Sequence, residues 1–258
     1  MNALQVRTQL AHSDADRIEV RGHDLNDLIG RVSLTDMLFL EVQGRLPAPS
    51  ERRLADAALV TLVEHGFTPS AIAARMTHLG SPDFLQGAVA AGLLGLGSTF
   101  VGSIEGAARM LQEAVAAAGA DMRPADVADA VVAAYRRDGR AIPGLGHHLH
   151  KRADPRVARL YEIAQEEGRV GPHLAVLGEL EAAFERQSGK FLPVNATGAI
   201  GAVASDLGFD WRVCRAFGIV ARCVGLVGHV WEEMRQPVAR AIWHEVERAA
   251  GPPAPGQA

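Results

Sequence analysis

Aromatic residues are scarce, 5% of the 258 positions. No segment alternates apolar and polar residues over a useful length, which argues against a sheet-based fold. Cysteine is scarcer still. Cys214 and Cys223 are the two in the chain, and a separation of nine places them on opposite sides of a shared helix, where no disulfide can join them. They read as core thiols of a reducing compartment. No His-Glu-x-x-His and no paired-cysteine pattern occurs, so no metal site is expected. The most apolar run, Gly87 to Gly97, falls far short of a membrane span. The N-terminus, Met-Asn-Ala-Leu-Gln-Val-Arg-Thr-Gln, lacks the basic-then-apolar order of an export signal. A net charge of -4 gives no overall attraction to nucleic acid or anionic lipid. The expectation is a cytoplasmic protein with neither nucleic-acid nor membrane partners.

What the chain has in quantity is helical periodicity. Ser33 caps a segment with Met37, Leu38, Leu40 and Val42 that ends near Gly44. Pro49-Ser50 opens the next, which ends at His65-Gly66, and Ser70 caps a third. Residues 84–96 predict a helix buried on all sides, followed by a Gly-rich joint from Gly95 to Gly102. Further helices are expected at 104–118, 124–137, 155–166, 172–188, 196–207, from Trp211 to about Arg235, and from Pro237 onward. The reading is all-α, with ten or so helices. A large helical domain would comprise 1–120 and 191–250, with a smaller lobe at 121–190, a cleft between them and a flexible tail at 251–258.

The densest chemistry runs from Ile142 to Arg159. Pro143, Gly144 and Gly146 keep the backbone out of a helix and let it pass close to something. His147, His148 and His150 follow, with Lys151, Arg152, Arg156 and Arg159. Asp154-Pro155-Arg156 reads as a helix start. Such a loop can offer amide N–H groups, a titratable base and positive charge to an anion. His147 is either a catalytic or substrate-binding imidazole or a helix-flanking surface histidine. Arg156 stands in a first helical turn, which the helix dipole disfavours, a cost that clamping a carboxylate offsets. Arg222 lies inside the apolar run Phe217-Gly-Ile-Val-Ala-Arg-Cys-Val-Gly-Leu-Val. A buried arginine needs an anion, here either a structural acid or a substrate carboxylate. His65 fits a substrate ligand or a plain helix-end histidine, and Asn195 fits a ligand contact or a simple cap. The Gly97–Gly102 turn lacks the Lys-Ser/Thr of a phosphate-binding loop.

These residues resemble a known family. Ile142 to Arg159 is similar to the Pro-Gly-x-Gly-His … Asp-Pro-Arg segment of the citrate synthase superfamily. Leu192-Pro-Val-Asn-Ala-Thr-Gly-Ala-Ile resembles its Asn-Val-Asp-Gly block. Gly97 to Met110, and Phe217 to Glu233 with Gly228-His229, resemble the citryl-CoA-cleaving module of ATP-citrate lyase. The length matches short citryl-CoA lyase-like members. The resemblance implies a cleft between two helical lobes and a homodimer. It makes His147 the histidine on the substrate hydroxyl or carbonyl oxygen, with Arg156, Arg222 and His65 holding the oxoacid. Gly144, Leu145, Gly146, Lys151 and Asn195 would meet coenzyme A. Arg240, or Arg235, would stand for an arginine donated across the dimer. Small residues at Gly225 and Gly228 would allow close contact with the partner helix.

Two departures qualify this. Phe100 stands where citrate synthases place the enol-stabilising histidine, and Thr197 where active members place the catalytic aspartate. A threonine cannot act as a general base near neutral pH. Glu105 and Asp206 are nearby in sequence, yet neither occupies the aspartate's position by count. The resemblance therefore implies an acyl-CoA lyase cleaving citryl-CoA or a relative to acetyl-CoA and a 2-oxoacid such as oxaloacetate, with no prosthetic group. Two alternatives stay open: an enzyme of this fold with another acyl-CoA or 2-oxoacid, and a catalytically silent CoA-binding subunit.

Overall fold

The computed structural model describes residues 7–119, 121–146 and 152–251, and twelve α-helices carry its fold. In order they are α1 (Leu25–Leu28), α2 (Leu34–Gln43), α3 (Pro49–Val63), α4 (Pro69–Gly80), α5 (Leu85–Leu94) and α6 (Gly102–Ala118). Then come α7 (Pro124–Arg137), α8 (Pro155–Glu166), α9 (Pro172–Ser188), α10 (Ala196–Asp206), α11 (Trp211–Arg235) and α12 (Ala239–Ala249). Local chemistry sets many of the boundaries. Ser33 and Asp36 form a reciprocal capping box on α2, and Gly44 ends it in the left-handed region at φ 72°. Proline opens α3, α4, α7, α8 and α9.

Four expectations need correction. The cap of α4 is Thr68, which accepts from the Ala71 amide, so Ser70 sits inside the first turn. The segment after α5 is not a loose joint but a π-helical turn, Gly97–Val101, running straight into α6. Helix α5 is not buried all round: Leu94 is 84% exposed, and only Ala88, Val89 and Gly92 lie inside. A small antiparallel sheet was not anticipated, with β1 (Ala11–Ser13), β2 (Ile18–Val20) and β3 (His23–Asp24) in order 1-2-3. Strands this short show no alternation, and turn chemistry holds them instead: Asp14 Oδ1 accepts from the Asp16 and Arg17 amides, each at 2.9 Å.

Helix α10 is the axis of the core. Nine of its eleven residues are buried, and it packs against α3, α6, α9 and α11. Small side chains make this possible, since a Cβ on Gly201 would stand 2.8 Å from the Ile104 carbonyl oxygen. Phe39, Phe209 and Phe217 close one end of the core edge to face, with ring centroids 4.9 and 5.1 Å apart. The cysteines are unpaired, and burial pushes the Cys214 thiol up to about 12. Helix α11 is long and apolar enough to cross a membrane by composition, but half of its most apolar window is buried inside the fold, as in a core helix.

Candidate active site

Several helices begin at the wall of one cavity of about 240 Å³. Thr68 and Ser70 come from the start of α4, Phe100 and Ser103 from the π-turn entering α6, Arg156 from α8, and Asn195 to Thr197 from α10. Helix N-termini carry partial positive charge and unpaired N–H groups. Arg156 and Arg222 add two full charges, and no Asp or Glu lines the cavity among the described residues. The chemistry is that of an anion site.

Arg222 is 4% exposed. Its Nη1 donates to the Val63 carbonyl oxygen at 2.9 Å and lies 3.8 Å from Glu64 Oε1. Its Nε and Nη2 are buried without a partner among the described residues. Burial pushes the guanidinium below its ordinary pKa, and Glu64 opposes that shift. Two parallel N–H groups left open beside a cavity match one carboxylate.

Arg156 does not keep its fork for a ligand. Its Nε and Nη2 donate to the two oxygens of Asp154 at 2.9 and 2.8 Å, which corrects the expectation of a bidentate substrate clamp. Asp154 also caps α8 and accepts from the Ala196 amide at 3.1 Å, tying α8 to α10. Burial alone would raise the Asp154 carboxyl, but the Arg156 hydrogen bonds and charge hold it below the usual carboxylate range. Arg156 lines the cavity as a cation fixed by that pair.

At the start of α10, Asn195 Oδ1 accepts from the Gly198 amide at 3.0 Å and from the Thr197 hydroxyl at 2.7 Å. Its Nδ2 donates to the Gly146 carbonyl oxygen at 2.7 Å. Asn195 is thus a cap and a brace for the Gly146 turn. Ser103 Oγ stands 3.0 Å from Thr197 Oγ1 and 2.7 Å from the Phe100 carbonyl oxygen. The hydrogen of Thr197 is directed at Asn195, so the oxygen offers the cavity lone pairs. Neither nearby acid substitutes for an aspartate here. Glu105 pairs with Arg215 at 2.9 Å, and Asp206 accepts from the His173 and Leu174 amides at the start of α9.

The glycine turn passes close to protein at its first glycine. Gly144 has φ +89°, and a Cβ on it would meet the Gly198 Cα at 2.7 Å. Leu145 bridges to Val194, while Gly146 lines the cavity. Of the residues the resemblance assigned to coenzyme A, Gly144 is therefore shaped by packing on α10. Replacing Gly198 with Ala is expected to cost about 1–3 kcal/mol by overpacking this contact, read as a lowered thermal midpoint. An unchanged midpoint would show that the two backbones part freely.

His65 and Phe100 line the cavity, Phe100 at 45% exposure. His147, His148, His150 and Lys151 lie outside the described residues. Arg240 is exposed on α12 and is not among the cavity residues, and Arg235 stacks over the Trp231 ring. Gly225 does not serve a partner helix: a Cβ there would fall 1.9 Å from the Val63 carbonyl oxygen of the same chain. Gly228 has open space beside it. Reasoning from the sequence missed Thr68 and Ser103 as cavity residues, because isolated hydroxyls in helix starts read as caps. It also missed the fully buried Arg75, whose signal was a cation on the Ala71/Ala74/His78 face of α4.

The family description "Citrate synthase, C-terminal domain" matches residues 39–244. The chain belongs to the citrate synthase family. It is similar to the solved citryl-CoA lyase of Hydrogenobacter thermophilus, with 35% identity, a TM-score of 0.87, and 98% of this chain and 96% of that one covered. The ATP citrate lyase of Methanothrix soehngenii, solved with citrate and coenzyme A, shares the fold at 19% identity and a TM-score of 0.83, covering all of this chain and 43% of that one. The ATP-citrate synthase beta chain protein 1 of Arabidopsis thaliana is 26% identical over 180 residues, 63% of this chain. This chain spans 28% of the length of that relative.

Proposed function

We propose that this citrate synthase family member cleaves citryl-CoA, or a related 3-hydroxyacyl-CoA, to acetyl-CoA and a 2-oxoacid such as oxaloacetate. The observation that carries the reading is Arg222, buried with two N–H groups unpartnered among the described residues, beside a cavity that none of the described Asp or Glu residues lines and at which helices begin. Arg222 would hold one carboxylate of the oxoacid part bidentately, with the Asp154-fixed Arg156 as a second charge. His65 would bind the same part of the substrate. An imidazole takes the hydroxyl proton as the carbon–carbon bond breaks, and His147 is the residue the family motif assigns to that oxygen. The bonding electrons pass into the thioester, whose oxygen carries the enolate charge until the methylene carbon is protonated. Coenzyme A enters and leaves as a thioester, citryl-CoA as substrate and acetyl-CoA as product, with Gly146 and Lys151 as its proposed contacts and no prosthetic group.

Thr197 supports a second reading, an enzyme of the same fold tuned to another acyl group, because a Thr197/Ser103 hydroxyl pair lines the cavity at the position where the family motif has its aspartate. The experiment is incubation with citryl-CoA and several 3-hydroxyacyl-CoA thioesters, reading released acetyl-CoA and 2-oxoacid. Cleavage of citryl-CoA supports the first reading, and cleavage of another thioester alone supports the second. A chain that binds coenzyme A and turns over none of them is a silent subunit. His147→Ala is expected to abolish turnover.

The active form we propose is a cytoplasmic homodimer built on α11. Val224, Val227, Trp231 and Met234 form an exposed apolar row on that helix, with Gly228 open beside them. Helical spacing of this kind suits a second copy of the same helix. Trp231→Glu is expected to shift the protein from dimer to monomer in light scattering, and a native monomer at micromolar concentration would contradict the proposal.

A further inference from the structure

Next to Arg222 runs a chain of polar groups that the reaction does not use directly, buried at Arg75, His229 and Glu233 and exposed at Glu64 and Glu232. Arg75 on α4 is fully buried. Its Nη1 donates to Glu233 at 2.9 Å, and its Nη2 also pairs with Glu232. Its Nε and Nη2 both reach Nδ1 of His229, at 3.1 and 3.0 Å. A guanidinium only donates, so Nδ1 must accept and the ring proton of neutral His229 must sit on Nε2. That nitrogen lies 3.0 Å from Glu64 Oε1 and donates to it. The same oxygen accepts from the His65 and Gly66 amides at 2.8 and 2.7 Å and stands 3.8 Å from Arg222 Nη1. Phe67 closes the group from the side, with the Arg75 guanidinium over its ring at 4.8 Å and the His229 ring edge-on at 5.9 Å.

We propose that Arg75, His229 and Glu64 are positioning residues for the anion cavity, holding the Glu64 carboxylate where it fixes both the Arg222 guanidinium and the His65–Gly66 backbone. The inference rests on the reading that Arg222 receives a ligand carboxylate. Arg75 sets the His229 tautomer and His229 donates to Glu64, whose charge, 3.8 Å from Nη1, favours that end of the Arg222 guanidinium and leaves Nε and Nη2 for the ligand. Two helical turns separate Arg222 from His229 on α11, so one face of that helix carries both the working cation and its support. Outer groups of this kind set the geometry of the residue that touches the ligand.

The test compares binding of citrate with binding of coenzyme A by titration calorimetry, with thermal midpoints recorded alongside. His229→Phe keeps an aromatic ring but neither accepts from Arg75 nor donates to Glu64. It is expected to weaken citrate binding about tenfold or more and to leave coenzyme A binding unchanged. His229→Gln, whose amide can do both, is expected to restore most of the loss. If the native protein binds no citrate, the reading of the cavity fails first. If native protein binds citrate and His229→Phe binds it equally well, the positioning chain is overturned. It is overturned too if both ligands weaken together with a falling midpoint and Gln gives no rescue, which marks a structural role alone. Should His229→Phe not fold, Glu64→Gln at the half-exposed end of the chain carries the same test, and unchanged citrate binding there overturns the proposal.

Discussion

Replacing Arg222 with Met is expected to weaken binding of the 2-oxoacid by about 2–5 kcal/mol while coenzyme A binding stays near native. The fold survives in this expectation, for reasons visible in the structure. Among the described residues Arg222 makes one hydrogen bond, to the Val63 carbonyl oxygen, and its nearest acid is 3.8 Å away. Glu64 keeps His65, Gly66 and His229 as donors when Arg222 is gone. What disappears is the pair of N–H groups that have no partner among the described residues. An arginine paired to a structural acid would behave oppositely: Met would unfold the chain and leave ligand binding intact in whatever remained folded. Calorimetry with oxaloacetate and with coenzyme A, beside a melting curve, separates the two.

Thr197→Asp is expected to lower activity by roughly 5- to 150-fold, the consequence of about 1–3 kcal/mol of lost and opposed hydrogen bonding. An aspartate looks like a restoration when only the family motif is considered. The surroundings are built for a hydroxyl. Thr197 donates to Asn195 Oδ1 at 2.7 Å, and a carboxylate would set an acceptor against that acceptor. Asn195 cannot turn its amide without losing the Gly198 cap and the Gly146 brace together. Thr197→Ser, which keeps the donor, is expected to stay within a few-fold of native. An Asp variant more active than the native chain, with exchange of acetyl-CoA methyl protons, would show that the site still works by the family's acid–base route.

The helices were legible because their starts and stops are written locally. Ser33 with Asp36, Pro155 after Asp154, and Asn195 before Ala196 each act within four residues. The sheet was not legible, since two- and three-residue strands carry no period. The site was legible in part: Phe100, Arg156, Asn195, Thr197, Arg222 and His65 do line one cavity. Arg156 was misjudged although its partner is two residues away, because a cap and an ion pair to the same Asp154 look alike in sequence. Gly225 was misjudged for the opposite reason, its neighbour Val63 lying far off in the chain. Arg75 and His229 are 154 residues apart, a pairing that no local pattern encodes.

In the proposed reaction the carbon–carbon bond of a citryl-type thioester breaks in a cavity that no Asp or Glu lines among the described residues. Cleavage of citryl-CoA in deuterated water, with the isotope content of the acetyl-CoA methyl group read by mass spectrometry, tests it most directly. Oxaloacetate and acetyl-CoA carrying one deuterium are expected, since the enolate takes one hydrogen from solvent, and no product from the Arg222→Met protein. Intact citryl-CoA after prolonged incubation with the native protein would contradict it.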